Sequence, residues 1–135
     1  MNKVREFYRH DAVRYANEDP YEYFYNKFHE VEEFSDLKIV AAKNLAKKSP
    51  YNYFAYRLHE KPEFKNQTRI AARRIANIYA FQYFKHNLHK NPDYIKFSLI
   101  AANNFAKTNL KLFFEMGLHE VPEFKSIATE ALRNM

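Results

Sequence analysis

Leu58-His59-Glu60-Lys61-Pro62-Glu63-Phe64 is the stretch whose reading decides the fold, because the chain returns to it. Its other copies occupy 28–34, 88–94 and 118–124, so the histidines at 29, 59, 89 and 119 recur every 30 residues without an insertion. A fixed period of this length marks a chain built from one supersecondary unit stacked on copies of itself.

On either side of each copy the pattern is helical. Downstream of the motif the columns Phe34/Phe64/Tyr94/Phe124, Ala41/Ala71/Ala101/Ala131, Ala42/Ala72/Ala102, Leu45/Ile75/Phe105 and Ala46/Ala76/Ala106 align. At about 3.6 residues per turn they fall on one broad face of a longer first helix. Upstream, Phe24/Phe54/Phe84/Phe114 and Phe28/Leu58/Leu88/Leu118 stand four apart and share the face of a shorter second helix. Alanines admit a close neighbour and the phenylalanines fill the space beside them, yet one hairpin alone cannot bury such faces.

Punctuation fits this plan. Pro20, Pro50, Pro62, Pro92 and Pro122 stand where helices should open, since a first-turn proline forfeits only an N–H that has no partner there. Ser49 is placed to cap the second helix of its unit, and Thr108 to start the equivalent helix two units on. The expected helices include 4–16, 33–47 and 122–134. The predicted fold is all-α, a right-handed α-solenoid of about four and a half helical-hairpin repeats forming a single domain over 1–135. Its units are 1–28, 29–58, 59–88, 89–118 and a C-terminal half-unit, 119–135. The column Val40/Ile70/Ile100 points away from the alanines, but its counterparts at the chain ends are His10 and Glu130. Polar terminal copies of an apolar interior position predict packing between layers rather than an exposed ridge.

The layout resembles the broad class of HEAT-like αα superhelical repeat proteins. The likeness runs over the whole chain in its hairpin period, its first-helix proline and its stripe of small residues. The unit is shorter than tetratricopeptide, ankyrin or HEAT repeats, and the tetratricopeptide and ankyrin signature residues are absent. What the resemblance implies is an extended groove that binds proteins, peptides or nucleic acid; it carries no ligand residues with it.

Composition narrows the chemistry. Cysteine is absent, which excludes disulfides, thiolate metal sites and a cysteine nucleophile. The single glycine, Gly117, cannot make a phosphate loop. Ser35, Ser49, Ser98 and Ser126 lack a nucleophile's surroundings. With charged residues from Lys3 onward and no long apolar run, the expectation is a cytoplasmic, soluble protein without a membrane segment. The net charge of +6 would suit an anionic partner. By unit it runs 0, +1, +4, +2 and −1, a moderate central excess.

The repeated His-Glu pair looks like the start of a zinc-protease helix, but the second histidine, four residues on, is missing each time. Histidines one repeat apart, about 10 Å, are too distant to share a metal with bonds of about 2 Å. Their expected role is to hydrogen-bond the last carbonyls of the second helix. Glu33, Glu63, Asp93 and Glu123 read as first-turn charges favoured by the helix dipole. His86 and His89 are three apart without a clear third ligand, and no cofactor or metal is expected.

Two rows of residues are left as binding candidates. Tyr23, Tyr53 and Tyr83 flank the phenylalanines of the second helices and could anchor a peptide or stack on bases; packing between repeats is the competing reading. Lys43, Asn44, Arg73, Arg74, Asn103 and Asn104 follow the alanine pairs, with Arg69 and Lys107 close by. That row suits phosphates and base edges, or is an ordinary solvated face. The expected function is a non-enzymatic scaffold for a protein or peptide, with RNA or DNA binding as the alternative.

Overall fold

The computed structural model describes residues 2–135, with side chains described from Arg9 onward. All regular structure among these residues is helical. The helices are α1 (Asn2–Glu18), α2 (Pro20–Tyr25), α3 (Lys38–Lys48), α4 (Pro50–Ala55), α5 (Lys65–Ile78), α6 (Ala80–Lys85), α7 (Ser98–Thr108), α8 (Leu110–Glu115) and α9 (Lys125–Arg133). The chain divides into two compact units, Met1–Ala71 and Ala72–Met135, and the division falls inside α5.

Each short helix ends the same way. Residues Lys27, Arg57, Asn87 and Gly117 adopt left-handed backbone, with φ of 58°, 60°, 58° and 74°. The turn lets backbone N–H groups close the helix: Asn26 donates to the Glu22 carbonyl and Lys27 to that of Phe24, and the same pair of bonds recurs at 56–57, 86–87 and 116–117. Left-handed backbone costs a side-chain-bearing residue about 1–2 kcal/mol, so the glycine stands at the one copy where this cost is absent.

The starts differ from expectation. Ser49 precedes α4, but its hydroxyl accepts from the Asn52 side chain at 2.7 Å rather than from a backbone N–H. Thr108 is the last residue of α7 and bonds back to the Asn104 carbonyl at 2.8 Å. Asn109 is the cap, accepting from the Leu112 N–H at 3.2 Å. Pro62 and Pro122 each open a 3-10 turn, Pro62–Phe64 and Pro122–Phe124, and the α-helix begins one residue later. Likewise Glu32–Leu37 is 3-10 before α3 starts at Lys38. The proline and carboxylate therefore shape the entry turn, not the α-helix proper.

In unit 1, α3 packs on α1, α2 and α4. Ala12, Ala16, Ala41, Ala42, Leu45 and Ala46 are buried along this junction. The Asn44 amide donates to the Ala16 carbonyl at 2.9 Å and Lys48 to that of Glu18 at 2.8 Å, closing the end of α1. Phe24 meets Phe64 edge-on at 6.3 Å. In unit 2, α7 packs on α6, α8 and α9. Phe84 stacks on Phe105 at 5.7 Å and meets Phe124 edge-on at 5.8 Å, while Asn104 donates to the Ala76 carbonyl at 3.1 Å. The same devices thus serve both units: small residues for close approach, a phenylalanine across the gap, and an asparagine tying one first helix to another.

The third column corrects the sequence reading. Val40 and Ile100 are 42% and 39% exposed, and Ile70 is half-buried. The alanine face already supplies the packing of these helices, and the side opposite it opens to solvent. Among the described residues no helix is long and apolar enough to cross a membrane.

Candidate functional site

The tyrosine row does not face a ligand. Tyr23, Tyr53 and Tyr83 are wholly buried. Their hydroxyls donate to the carbonyls of Phe34 (2.7 Å), Phe64 (3.3 Å) and Tyr94 (2.8 Å), each eleven residues on. Tyr53 also bonds Thr68 at 2.7 Å and Tyr83 bonds Ser98 at 2.9 Å. Burial pushes the Tyr83 phenol up to about 12, and Tyr23 is raised for the same reason, with Asp36 adding to it. These groups are fasteners across the entry turn: each ring fills the core while the hydroxyl satisfies a buried carbonyl.

The basic and amide row separates into two kinds of residue. Asn44 and Asn104 are half-buried and spent on the carbonyl bonds described above. Asn103 donates to Leu99 within its own helix at 2.9 Å. Lys43 and Arg69 in unit 1, and Arg73, Arg74 and Lys107 in unit 2, are exposed. None of these five side chains forms an ion pair with a described residue. Other surface cations are engaged: Arg9 grips Asp36 through two bonds of 3.1 and 2.8 Å, and Lys38 pairs with Glu63 at 2.8 Å. Those two partners hold the Asp36 and Glu63 carboxyls below their usual range.

The aromatic surface lies elsewhere. In unit 1, Tyr21 stacks on Tyr25 at 5.9 Å and leans on Tyr56 at 5.6 Å, and Tyr25 is 62% exposed. In unit 2, Ile78, Tyr79 and Phe81 are exposed around an open groove of about 480 Å³, completed by Gln82, Phe105 and Leu112. One signal in the sequence separates the two rows. Position 23 and its copies are aromatic every time, as a core requires, whereas 21/51/81/111 reads Tyr, Tyr, Phe, Lys. A column that tolerates lysine is an outer face.

Backbone N–H groups at the left-handed turn, rather than the expected histidines, close the short helices. The histidine rings lie against phenylalanines, His29 on Phe24 and His89 on Phe84 at 5.0 Å each. The Nδ1 atoms of His29, His89 and His119 are buried without a hydrogen-bond partner. Among the described residues no three His, Asp or Glu side chains are grouped to hold a metal ion.

Burial lowers the pKa of both His29 and His89 from 6.5; Lys90 adds to the effect at His89, and at His29 Glu30 opposes it while Lys61, Lys27 and Lys38 reinforce it. The unfolded chain therefore takes up these protons first, and folding stability is retained above about pH 6.5 and lost as pH falls below it. A further loss, from Asp36 and Glu63, sets in below about pH 4. Histidine Hε1 resonances of residues 29 and 89 titrating below 6.5, with a thermal midpoint lower at pH 5.5 than at 7.5, are the expected results. Titration at or above the ordinary value would contradict them.

No family model, no curated protein and no solved structure matches the chain.

Proposed function

We propose that this protein is a non-enzymatic helical-repeat scaffold that binds a protein or peptide. In this reading its hairpins form a right-handed solenoid of about four and a half 30-residue units. The observation that carries the proposal is the open groove of unit 2. Its volume of about 480 Å³ is within the range of ligand sites, about 300–1,000 Å³. Ile78, Tyr79 and Phe81 are 51%, 50% and 38% exposed on its walls, and aromatic side chains at a concave surface are the usual anchors of a peptide interface. The stacked Tyr21–Tyr25 pair supplies a surface of similar chemistry in unit 1.

A second reading, binding of RNA or DNA, is favoured by the exposed cations Arg73, Arg74 and Lys107, which pair with no carboxylate among the described residues. One experiment separates the two. Peptides selected against the folded protein are expected to lose about tenfold or more in affinity on Phe81→Ser, and to lose little when salt is raised. Binding confined to single- or double-stranded oligonucleotides, falling steeply with salt and abolished by Arg73→Ala/Arg74→Ala, would replace the first reading by the second.

A further inference from the structure

One structural position is built in two chemically different ways, one in each unit. In unit 1, the Lys38 Nζ lies 2.8 Å from Glu63 Oε2, and Lys38 acts electrostatically on His29. The equivalent residues in unit 2 are 60 positions on. His29, Glu63 and Phe64 recur as His89, Glu123 and Phe124, and Ile39 becomes Leu99. Two cations are lost: Lys38 becomes Ser98 and Lys61 becomes Val121, while Ser35 becomes Ile95.

The consequence is a vacancy of defined shape. Ser98 is buried with its hydroxyl turned to the Tyr83 hydroxyl at 2.9 Å, so the four-carbon stem and ammonium of Lys38 have no counterpart. Around that space His89, Ile95, Leu99, Val121, Glu123 and Phe124 enclose a cavity of about 150 Å³. Glu123 is exposed, and unlike Glu63 it has no ion-pair partner among the described residues. A cavity of about this size holds one benzene-sized molecule and is well under the size of a drug-like or cofactor site. It takes a single side chain.

We propose that this cavity binds a primary alkylammonium chain, presented as a lysine side chain of a partner protein. Its stem lies among Ile95, Leu99, Val121 and Phe124, and its ammonium pairs with the Glu123 carboxylate. Unit 1 contains the template: Lys38 makes the same pairing with Glu63 within the chain. Lysine suits such a site because its stem is apolar and its charge is confined to the tip. Burial keeps the neighbouring His89 imidazole disposed to the neutral form, so it does not repel the incoming cation. The site shares no residue with the groove of Ile78 and Phe81, and neither proposal depends on the other.

The test is a methyl-detected NMR titration of the full chain with n-butylammonium chloride, with n-butanol as its neutral isostere, and with Nα-acetyl-lysine methylamide and its Nε-acetylated form. Saturable shifts at Leu99, Ile95 and Val121 are expected, with the ammonium binding about fivefold tighter than the alcohol. Acetylation of Nε is expected to reduce binding to the alcohol's level, as is Glu123→Gln, an exposed change that spares the fold. Ser98→Lys rebuilds the unit 1 arrangement and is expected to block every probe. Equal binding of butanol and butylammonium, undiminished binding by Glu123→Gln, or no saturable shift would overturn the proposal. Binding of butylammonium but not of the lysine derivative would overturn a protein-borne lysine as its occupant.

Discussion

Phe84→Ala is expected to lower the free energy of unfolding by about 3–5 kcal/mol, the cost of deleting a fully buried phenylalanine. The reason is local and specific. Phe84 is 1% exposed, stacks on Phe105 at 5.7 Å, and meets Phe124, Tyr83 and His89 at 5.8, 5.3 and 5.0 Å. Those partners come from α7, from the entry turn before α9, from α6 itself and from the turn that follows it, so one truncation opens a cavity where four side chains converge. Against a total of about 5–15 kcal/mol for a domain, the loss is a large share. Urea denaturation followed by circular dichroism measures it. Phe114→Ala, in the same column but only half-buried, is expected to cost less; equal costs, or a loss at Phe84 below about 1 kcal/mol, would contradict the packing described.

Ala102→Leu is expected to destabilise by about 1–3 kcal/mol through overpacking. Ala102 has no exposed surface and lies in α7, which is packed against α6, α8 and α9. Three added carbons have nowhere to go unless helices move apart. The chain itself supplies the control: the same column reads Ala42, Ala72, Ala102 and then Leu132, and Leu132 is 53% exposed. A leucine stands in this column only where space is open. Leu132→Ala is accordingly expected to change stability far less than Ala102→Leu, with both read in the same denaturation series. A neutral Ala102→Leu would show that the alanine face does not set the distance of approach.

Much of the architecture was legible in particular residues. The alanine columns at 41, 71 and 101 and at 42, 72 and 102 are all without exposed surface, and the phenylalanines at 24, 54 and 84 are 1–2% exposed. Periodicity finds such positions because burial on a helix repeats with the turn, and every copy answers to the same neighbours. The candidate site was much less legible. Spacing alone makes Tyr23, Tyr53 and Tyr83 possible anchors, yet the carbonyls of Phe34, Phe64 and Tyr94 claim their hydroxyls. The polar ends of their column predict an interior place for Val40 and Ile100, and both are exposed. In both cases a side chain's direction depends on what lies across the hairpin, which spacing along one helix does not encode.

The His-Glu motif shows the same division. By itself the sequence determined that 28–34 and its copies are joints between helices, since a turn proline, a carboxylate and an apolar closing residue can do little else in that order. It also determined that each joint repeats without insertion. Only the tertiary structure decided that backbone N–H groups, not histidines, close the helices, because that requires left-handed residues at Lys27, Arg57 and Asn87 where side chains ordinarily disfavour them. And only the folded units distinguish Glu63, paired with Lys38, from Glu123, left beside an apolar cavity. The partner of each carboxylate lies 25 residues away in the chain, or is missing, and distance along a sequence says nothing of that until packing brings the two together.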